Sequence, residues 1–337
     1  MTTSGSSTRT TEDSAEMPDS VLVITRVGDI TADLVIRQLD ERGVPVHRFD
    51  LADLRAGSLR VTAELAGTGR RWIGSLQDGH RDTDLSSVSA AWWRKPSDYG
   101  SRDGTEQAWM TAEAEFGLGG LLAALPDVRW INHPHRNRLA DDKPRQLSLA
   151  AKAGLAVPAT LITNDPVAAR IFVARQTNGA VYKPLRGGPR TPEGDRLLLH
   201  TELVTVDQIN DGVRTTTHLF QERVPCAFSV RVTSIGDRVF AVRIDTQDSE
   251  ILDWRADHDR LSYSPIEIPA EAAAGLAALN RELGLVYSAS DWIVTPDGTW
   301  TFLENNPNGQ WAWLEQHTGL PLTSALVDAL TIRRTTT

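Results

Sequence analysis

The sequence is short of several things, and each shortage excludes a class of protein. It has one cysteine, Cys226, in 337 residues, so neither an intrachain disulfide framework nor a zinc site of several thiolates can form. No run of about 18 uninterrupted apolar residues occurs, so no membrane-spanning helix is expected. The N-terminal twenty residues lack the apolar stretch of a secretory signal. Positive charge is in deficit: the formal net charge is −9, which argues against a nucleic-acid surface. Together these point to a soluble cytoplasmic protein with no nucleic-acid and no membrane partner. Lysine is the scarcest charge. Only Lys95, Lys143, Lys152 and Lys183 occur among 35 basic residues. In so arginine-rich a chain, a lysine marks places where a compact point charge among phosphate oxygens suits better than a planar fork, although drift explains any one of them equally well.

What is present is an ordinary globular composition, 40% hydrophobic and 23% charged, which excludes a largely disordered chain. Residues 1–20 are rich in Ser, Thr, Asp and Glu and read as a disordered tail. Residues 21–24 form a short apolar run, 32–42 a helical pattern closed by Gly43, and 44–49 a second extended run. That is a βαβ opening, so residues 21–130 are expected to form an α/β domain. Gly28 stands alone without GxGxxG spacing, and no dinucleotide is assigned there. Residues 89–94 read as a strand, 105–125 as one long helix, and 128–132 as a further strand. A helix over 137–153 is interrupted near Pro144 and stopped by Gly154. Residues 155–163 then read as extended. Strands are expected at 180–184, 197–199, 219–224, 229–235 and 239–245, a helix at 271–283, a hairpin over 286–304 turning at Pro296-Asp297-Gly298, and a last helix at 322–332. The whole is α/β followed by α+β, with 131–225 and 226–337 as the two later lobes.

Chemistry concentrates in the second half. Glu304-Asn305-Asn306-Pro307-Asn308-Gly309 is its densest polar cluster. Glu304 and Asn306, two residues apart on an extended segment, share a side, and Asp291 sits across the hairpin. Hard oxygen donors so arranged suit Mg²⁺, which takes one or two protein carboxylates plus phosphate oxygens; a plain turn explains the composition equally well. Lys183 lies in a β run followed by Gly187-Gly188, a pattern that allows a loop covering phosphates or a simple surface hairpin. Residues 220–225 have the form of a strand leaving its sheet at Pro225; its freed backbone groups can pair with an adenine edge, or the segment merely connects two lobes. Arg231 and Arg243 interrupt apolar β runs and must face solvent or meet an anion. Neither GxSxG nor HExxH occurs. Trp254, Trp311 and Trp313 either line a peptide groove or pack.

Taken in order, Lys143, Lys183, Gln221-Glu222-Arg223-Val224, Arg231, Asp291, Glu304 and Asn306 resemble the ATP-grasp series over residues 131–335. The stretches from Asn132-His133-Pro134 to Asp142-Lys143 and from Ala153 to Pro158 are similar to the ATP-grasp peptide maturases of the graspetide or microviridin type. Trp92-Trp93-Arg94-Lys95-Pro96 resembles the Trp-x-Arg-Arg-Pro segment of their pre-ATP-grasp domain. The resemblance implies a pre-ATP-grasp α/β domain followed by a two-lobed ATP-grasp fold, with ATP and Mg²⁺ as cofactors. It implies Lys143 and Lys183 on the nucleotide phosphates, Gln221, Glu222 and Val224 at the adenine, and Asp291, Glu304 and Asn306 at Mg²⁺. Arg231 and Arg243 would stabilise the transferred phosphoryl group. The implied substrate is a ribosomal precursor peptide whose Asp or Glu side chains are activated as acyl phosphates and closed onto Thr, Ser or Lys. Arg94 and Arg255 are candidates for holding its acidic residues, and self-association of the enzyme stays open. Ser229 departs from the pattern, since the family often carries an acid there. Two other functions compete: ligation of a free amino acid to a small acid or a protein C-terminus, and nucleotide binding without turnover.

Overall fold

The computed structural model describes residues 19–69, 71–101, 104–187, 201–246, 254 and 261–332. The strand expected at 197–199 and Arg255 lie outside the described residues, as do residues 1–18 of the tail.

β1 (Ser20–Thr25) is buried along its whole length. α1 (Ile30–Glu41) follows, capped by Asp29, whose carboxylate accepts from the backbone N–H groups of Thr31 and Ala32. Then come β2 (Val46–Phe49), α2 (Ala52–Ala56), and an antiparallel sheet of β3 (Arg60–Glu64), β4 (Ile73–Gln77) and β5 (Asp82–Asp84). That small sheet was not expected: its strands are short, bury only Leu76 and Thr83, and contain no apolar run long enough to read. β6 (Val88–Lys95) is followed by α3 (Thr105–Ala114), a π-helical turn at 115–119, α4 (Gly120–Ala123) and β7 (Arg129–Ile131). The expected single helix over 105–125 is thus one helical run with a widened turn inserted. β2-β1-β6-β7 form a parallel sheet, whose strand ends at Thr25 and Lys95 point the same way, towards the rest of the chain.

α5 (Pro134–Ala140) and α6 (Lys143–Lys152) replace the interrupted helix, with Pro144 at the start of α6, where its missing N–H costs nothing. β8 (Thr160–Thr163), α7 (Pro166–Arg175), β9 (Ala180–Lys183), β10 (Glu202–Val204) and β11 (His218–Glu222) make an antiparallel sheet ordered β10-β9-β11-β8, with α7 packed over Phe220 and Ala180. The third sheet, ordered β14-β13-β12-β15-β16, is built from β12 (Phe228–Ile235), β13 (Arg238–Thr246), β14 (Leu261–Ile266), β15 (Tyr287–Val294) and β16 (Trp300–Asn306). α8 (Ala270–Leu283) covers one face, burying Leu276, Leu279 and Leu283 against Val230, Trp292 and Phe302. The edge strand β16 is not left open. Phe302 N donates to Ala156 O at 2.8 Å, and the Gln146 amide pairs with both backbone groups of Asn305.

α9 (Ala312–Thr318) and α10 (Leu322–Thr331) return to the first domain. Leu314, Leu322 and Leu326 share one core with Val21, Val35 and Trp92 of the parallel sheet and its helix and with Tyr287 of β15. The first domain is therefore packed directly against the strand pair that carries Asp291 and Glu304.

Candidate active site

Three adjacent strands bring the central residues into line. Arg231 on β12 is the register partner of Asp291 on β15, and Asp291 is that of Glu304 on β16. The Arg231 guanidinium donates from Nη1 to Asp291 Oδ1 at 2.8 Å, and both residues are buried, each 4% exposed. At the other end of the row Lys143, heading α6, donates its ammonium proton to Glu304 Oε2. A buried cation and anion so arranged offset one another's desolvation.

Simple alternation would place Glu304 on the wrong side. Phe302 faces α8 together with its partner Trp292, and two residues on, Glu304 would follow it there. The register slips by one residue between Trp292–Phe302 and Asp291–Glu304, a β-bulge that takes up Leu303 and turns Glu304 onto the face of Asp291. Asn306 shares that side. Its Oδ1 accepts from Asn308 N at 2.8 Å in a tight turn, leaving a second lone pair for a cation.

The turn beyond β16 is held by the first domain. Arg94 is fully buried. Its Nε donates to Asp29 Oδ2 at 3.0 Å and its Nη1 to the carbonyls of Asn308 at 2.5 Å and Gly309 at 2.8 Å. Trp92 and Trp311 lie against the guanidinium at 5.7 and 5.3 Å. Tyr287, its phenol pushed up to about 12 by burial, donates to Gly309 O at 2.7 Å, and Asn132 Nδ2 to Pro307 O at 3.1 Å. Position 309 must be glycine, because a Cβ there would stand 2.4 Å from Arg231 Nη2. Arg94 thus ties Asp29 to the 308–309 carbonyls, Gly309 packs against Arg231, and Arg231 bonds to Asp291, the register partner of the Glu304 that Lys143 contacts.

Lys183 ends β9, and Arg186 in the loop beyond it lies within electrostatic reach of Asp141, two residues before Lys143. Arg186, within the described start of that loop, therefore lies near the head of α6. Gln221 is buried and donates its amide to Thr160 Oγ1 at 2.9 Å, while Glu222 N donates to Ala159 O. Val224 is half-buried in the segment joining β11 to β12, between the two later sheets.

Two expectations need correcting. Arg243 pairs in register with Val230, so it lies on the α8 face, opposite Arg231. Its guanidinium is held by Asp245 at 2.6 to 3.0 Å and covers the Phe228 ring at 4.1 Å. Arg94 offers no surface to a peptide, being sealed in the contacts above. The sequence reading assigned Asp29, Gln146 and Tyr287 no role, and named Asn132 only within a stretch that carries the resemblance. Asp29 had a signal of its own, as an N-cap between a strand and a helical pattern. Ser229 shares the Arg231 face, its hydroxyl 3.9 Å from the Cys226 sulfur. Trp311 is core, whereas Tyr263 on β14 and Trp313 and His317 on α9 stack in a row that ends on the buried Trp254, at 4.8 to 5.3 Å. A cleft of about 570 Å³ beside α5, lined by Trp130, His133, His135 and Arg136, contains none of the row's residues.

Among the described residues no three His, Cys, Asp or Glu side chains are grouped to hold a metal by themselves. Two carboxylates and one amide on a shared face fit a divalent ion that takes its remaining oxygens from a polyphosphate. No described helix is long and apolar enough to cross a membrane.

A parallel α/β domain feeding two antiparallel sheets, with this row of residues on the second, is the architecture of the ATP-grasp ligases that carry a pre-ATP-grasp domain. Residues 20–138 match the MvdD pre-ATP grasp domain family. The chain is similar to macrocyclase MdnC of Microcystis aeruginosa MRC, solved with precursor peptide MdnA, at 29% identity and a TM-score of 0.79 over 92% of this chain and 99% of that one. It is similar to a RiPP-associated ATP-grasp ligase of Chryseobacterium gregarium, solved with ADP and a leader and core peptide, at 26% identity and a TM-score of 0.83 over 93% and 96%. Macrocyclase MdnB of Microcystis aeruginosa MRC matches at 27% identity and a TM-score of 0.79 over 94% and 100%. No curated relative matches the sequence. Residues 20–138 are an MvdD-type pre-ATP-grasp domain, and the chain as a whole has the architecture of the ATP-grasp macrocyclases of ribosomal peptides.

Proposed function

We propose that this protein closes ω-ester or ω-amide rings in a ribosomal precursor peptide at the expense of ATP. The observation that carries the reading is the Arg231–Asp291–Glu304–Lys143 row, in an architecture shared with peptide macrocyclases over 92% of the chain. An Asp or Glu carboxylate of the peptide attacks the γ-phosphorus of ATP, ADP leaves, and an acyl phosphate remains. A Thr or Ser hydroxyl, or a Lys amine, then attacks the acyl carbon, loses its proton and expels inorganic phosphate. Phosphoryl transfer asks for positioning and charge neutralisation rather than a protein nucleophile, and cations with oxygen ligands are what the site contains. Asp291, Glu304 and Asn306 hold Mg²⁺, which when bound neutralises phosphate charge. Lys143 and Lys183 bind the α- and β-phosphates, and the Gln221–Val224 segment lies along the adenine. Arg231, buried beside Asp291 with its Nε unpartnered among the described residues, is the candidate to stabilise the transferred group. Co-expression with a short neighbouring reading frame rich in Thr, Ser, Asp and Glu tests the reading: each ring removes one water from the peptide mass. A gain of an amino-acid residue, or ADP release indifferent to peptide, would refute it.

A further inference from the structure

Lys95 ends β6 one residue beyond the sealed Arg94. Its register partner is Thr25, two residues on from Val23, which faces the core shared with Trp311 and Tyr287. Ordinary alternation would send Lys95 to the opposite side with Trp93; a bulge at Arg94 redirects it to the side of the ATP-grasp sheet. The backbone there is fixed on both flanks, by the Arg94 contacts and by Ser97, which donates from N and Oγ to Asp50 at 2.7 and 2.6 Å.

The ammonium is half-buried, and among the described residues it makes no hydrogen bond or ion pair. The charges that reach it are Arg94, Arg26 and Arg231 against one carboxylate, Asp29. Asp29 is already engaged by Arg94, by the Thr25 hydroxyl and by two backbone N–H groups. Asp291 is likewise engaged by Arg231. Two further buried donors nearby, Arg94 Nη2 and Arg231 Nε, have no hydrogen-bond partner among the described residues. Burying cations beside cations without an anion is costly and persists where a ligand supplies the missing charge. The position agrees, since open parallel sheets bind ligands beyond the carboxyl ends of their strands, here Thr25 and Lys95.

We propose that Lys95, with Arg26 beside it, is the subsite that receives the side-chain carboxylate of the peptide, at the seam between the pre-ATP-grasp domain and Arg231. The inference rests on the function proposed above. The order along the polar row selects a carboxylate over a nucleotide phosphate. Lys143 and Glu304 stand at one end, Lys95 stands beyond Arg94 at the other, and Arg231 lies between the two. The acid enters from the first-domain side and meets the phosphoryl group at Arg231.

With four lysines in the chain, site-resolved lysine acylation of the full-length enzyme, read by mass spectrometry, tests this directly. The probes are MgADP, N-acetylglutamate α-amide and the isosteric N-acetylglutamine α-amide. MgADP is expected to slow labelling of Lys143 and Lys183. The glutamate derivative, added to the MgADP complex, is expected to slow Lys95 roughly three-fold when present at about twice its Kd, and the glutamine derivative to leave it unchanged. If MgADP protects Lys143 and Lys183 but the acid leaves Lys95 unaffected, the subsite is refuted and the nucleotide site stands. Protection of Lys95 by MgADP alone makes it a phosphate contact and also refutes the proposal. If MgADP protects neither Lys143 nor Lys183, the nucleotide site itself is misplaced. Lys95→Met adds a second arm. It should melt at or above the wild-type temperature, because an unpaired charge is removed, yet bind the glutamate derivative about ten-fold more weakly, with Lys95→Arg retaining most of the affinity. A lowered melting temperature with unchanged acid binding would assign Lys95 a structural role instead.

Discussion

Arg94→Met removes the cation that joins the first domain to the 306–309 turn while keeping the length of its apolar stem. The structure fixes what is lost: the 3.0 Å bond to Asp29, two bonds to the carbonyls of Asn308 and Gly309, and the stacking between Trp92 and Trp311. Removing one partner of a buried pair costs about 3–5 kcal/mol, because the other charge stays buried and uncompensated. Asp29 keeps three other donors, the Thr25 hydroxyl and the N–H groups of Thr31 and Ala32, which places the loss near the lower end, about 3 kcal/mol. That is a large share of the 5–15 kcal/mol typical of folded domains. Urea unfolding followed by tryptophan fluorescence measures it, with Trp92 and Trp311 reporting from the contact itself. Asp29→Asn is the complementary variant, leaving Arg94 as the unpaired charge. The double variant should cost less than the sum of the two by about 1.5 kcal/mol or more, since each single variant strands a charge that the double one does not. A loss below about 1 kcal/mol for Arg94→Met, or strict additivity, would refute the claim that this pair clamps the turn to the first domain.

Glu304→Gln should abolish peptide-dependent ADP release and leave the unfolding curve nearly unchanged, because the amide keeps the shape at the bulge and loses the charge facing Lys143; wild-type turnover would remove Glu304 from the site. Arg243→Ala should leave kcat within about two-fold of wild type, since its guanidinium lies on the α8 face against Asp245 and Phe228, and a hundred-fold loss would show that the register argument misplaces it. Burial, reinforced by the positive charge of Arg94, holds the Lys95 ammonium down at about 8 against an ordinary 10.5. The KM for an acidic peptide should therefore rise as pH passes upward through about 8, and a KM flat from pH 7 to 9.5 would contradict the subsite. The same depression means that between pH 8 and 10.5 the unfolded chain binds the proton more tightly than the folded one, so this group's contribution to stability increases with pH there; Lys95→Met should lack that increase.

The parts of the fold that depend on local pattern are legible in the sequence. The opening βαβ run, the alanine-rich helix α8 and the hairpin turning at Pro296-Asp297-Gly298 stand where periodicity and turn chemistry place them. The β3–β5 sheet was not legible, since its short strands bury little and show no apolar run. Nor was β14, half-exposed along its length. Among site residues, Arg231, Asp291 and Glu304 could be singled out as charged groups in apolar strands, but the same criterion picks out Arg94 and Arg243. What separates them is strand register: a one-residue difference puts Arg231 opposite Asp291 and Arg243 opposite Val230 on the other face. Register is a long-range property, and no window along one strand contains it.

Both ends of the polar row stand where a strand breaks its two-residue period. At Leu303 an extra residue brings Glu304 to the face of Asp291, and at Arg94 an extra residue brings Lys95 to the face of Thr25. Without the first, the carboxylate would lie among the apolar residues under α8; without the second, the lysine would follow Trp93 into the core of the first domain. A regular strand can present one polar residue in two to a cleft, and each of these strands has to supply a buried anchor and a cleft-facing charge at neighbouring positions. Bulges solve that geometric problem at the cost of a ladder bond, which is why they recur beside functional groups. The irregularities that make this site hard to read from alternation are therefore the features that aim Glu304 at Asp291 and Lys95 at the seam beside Arg231.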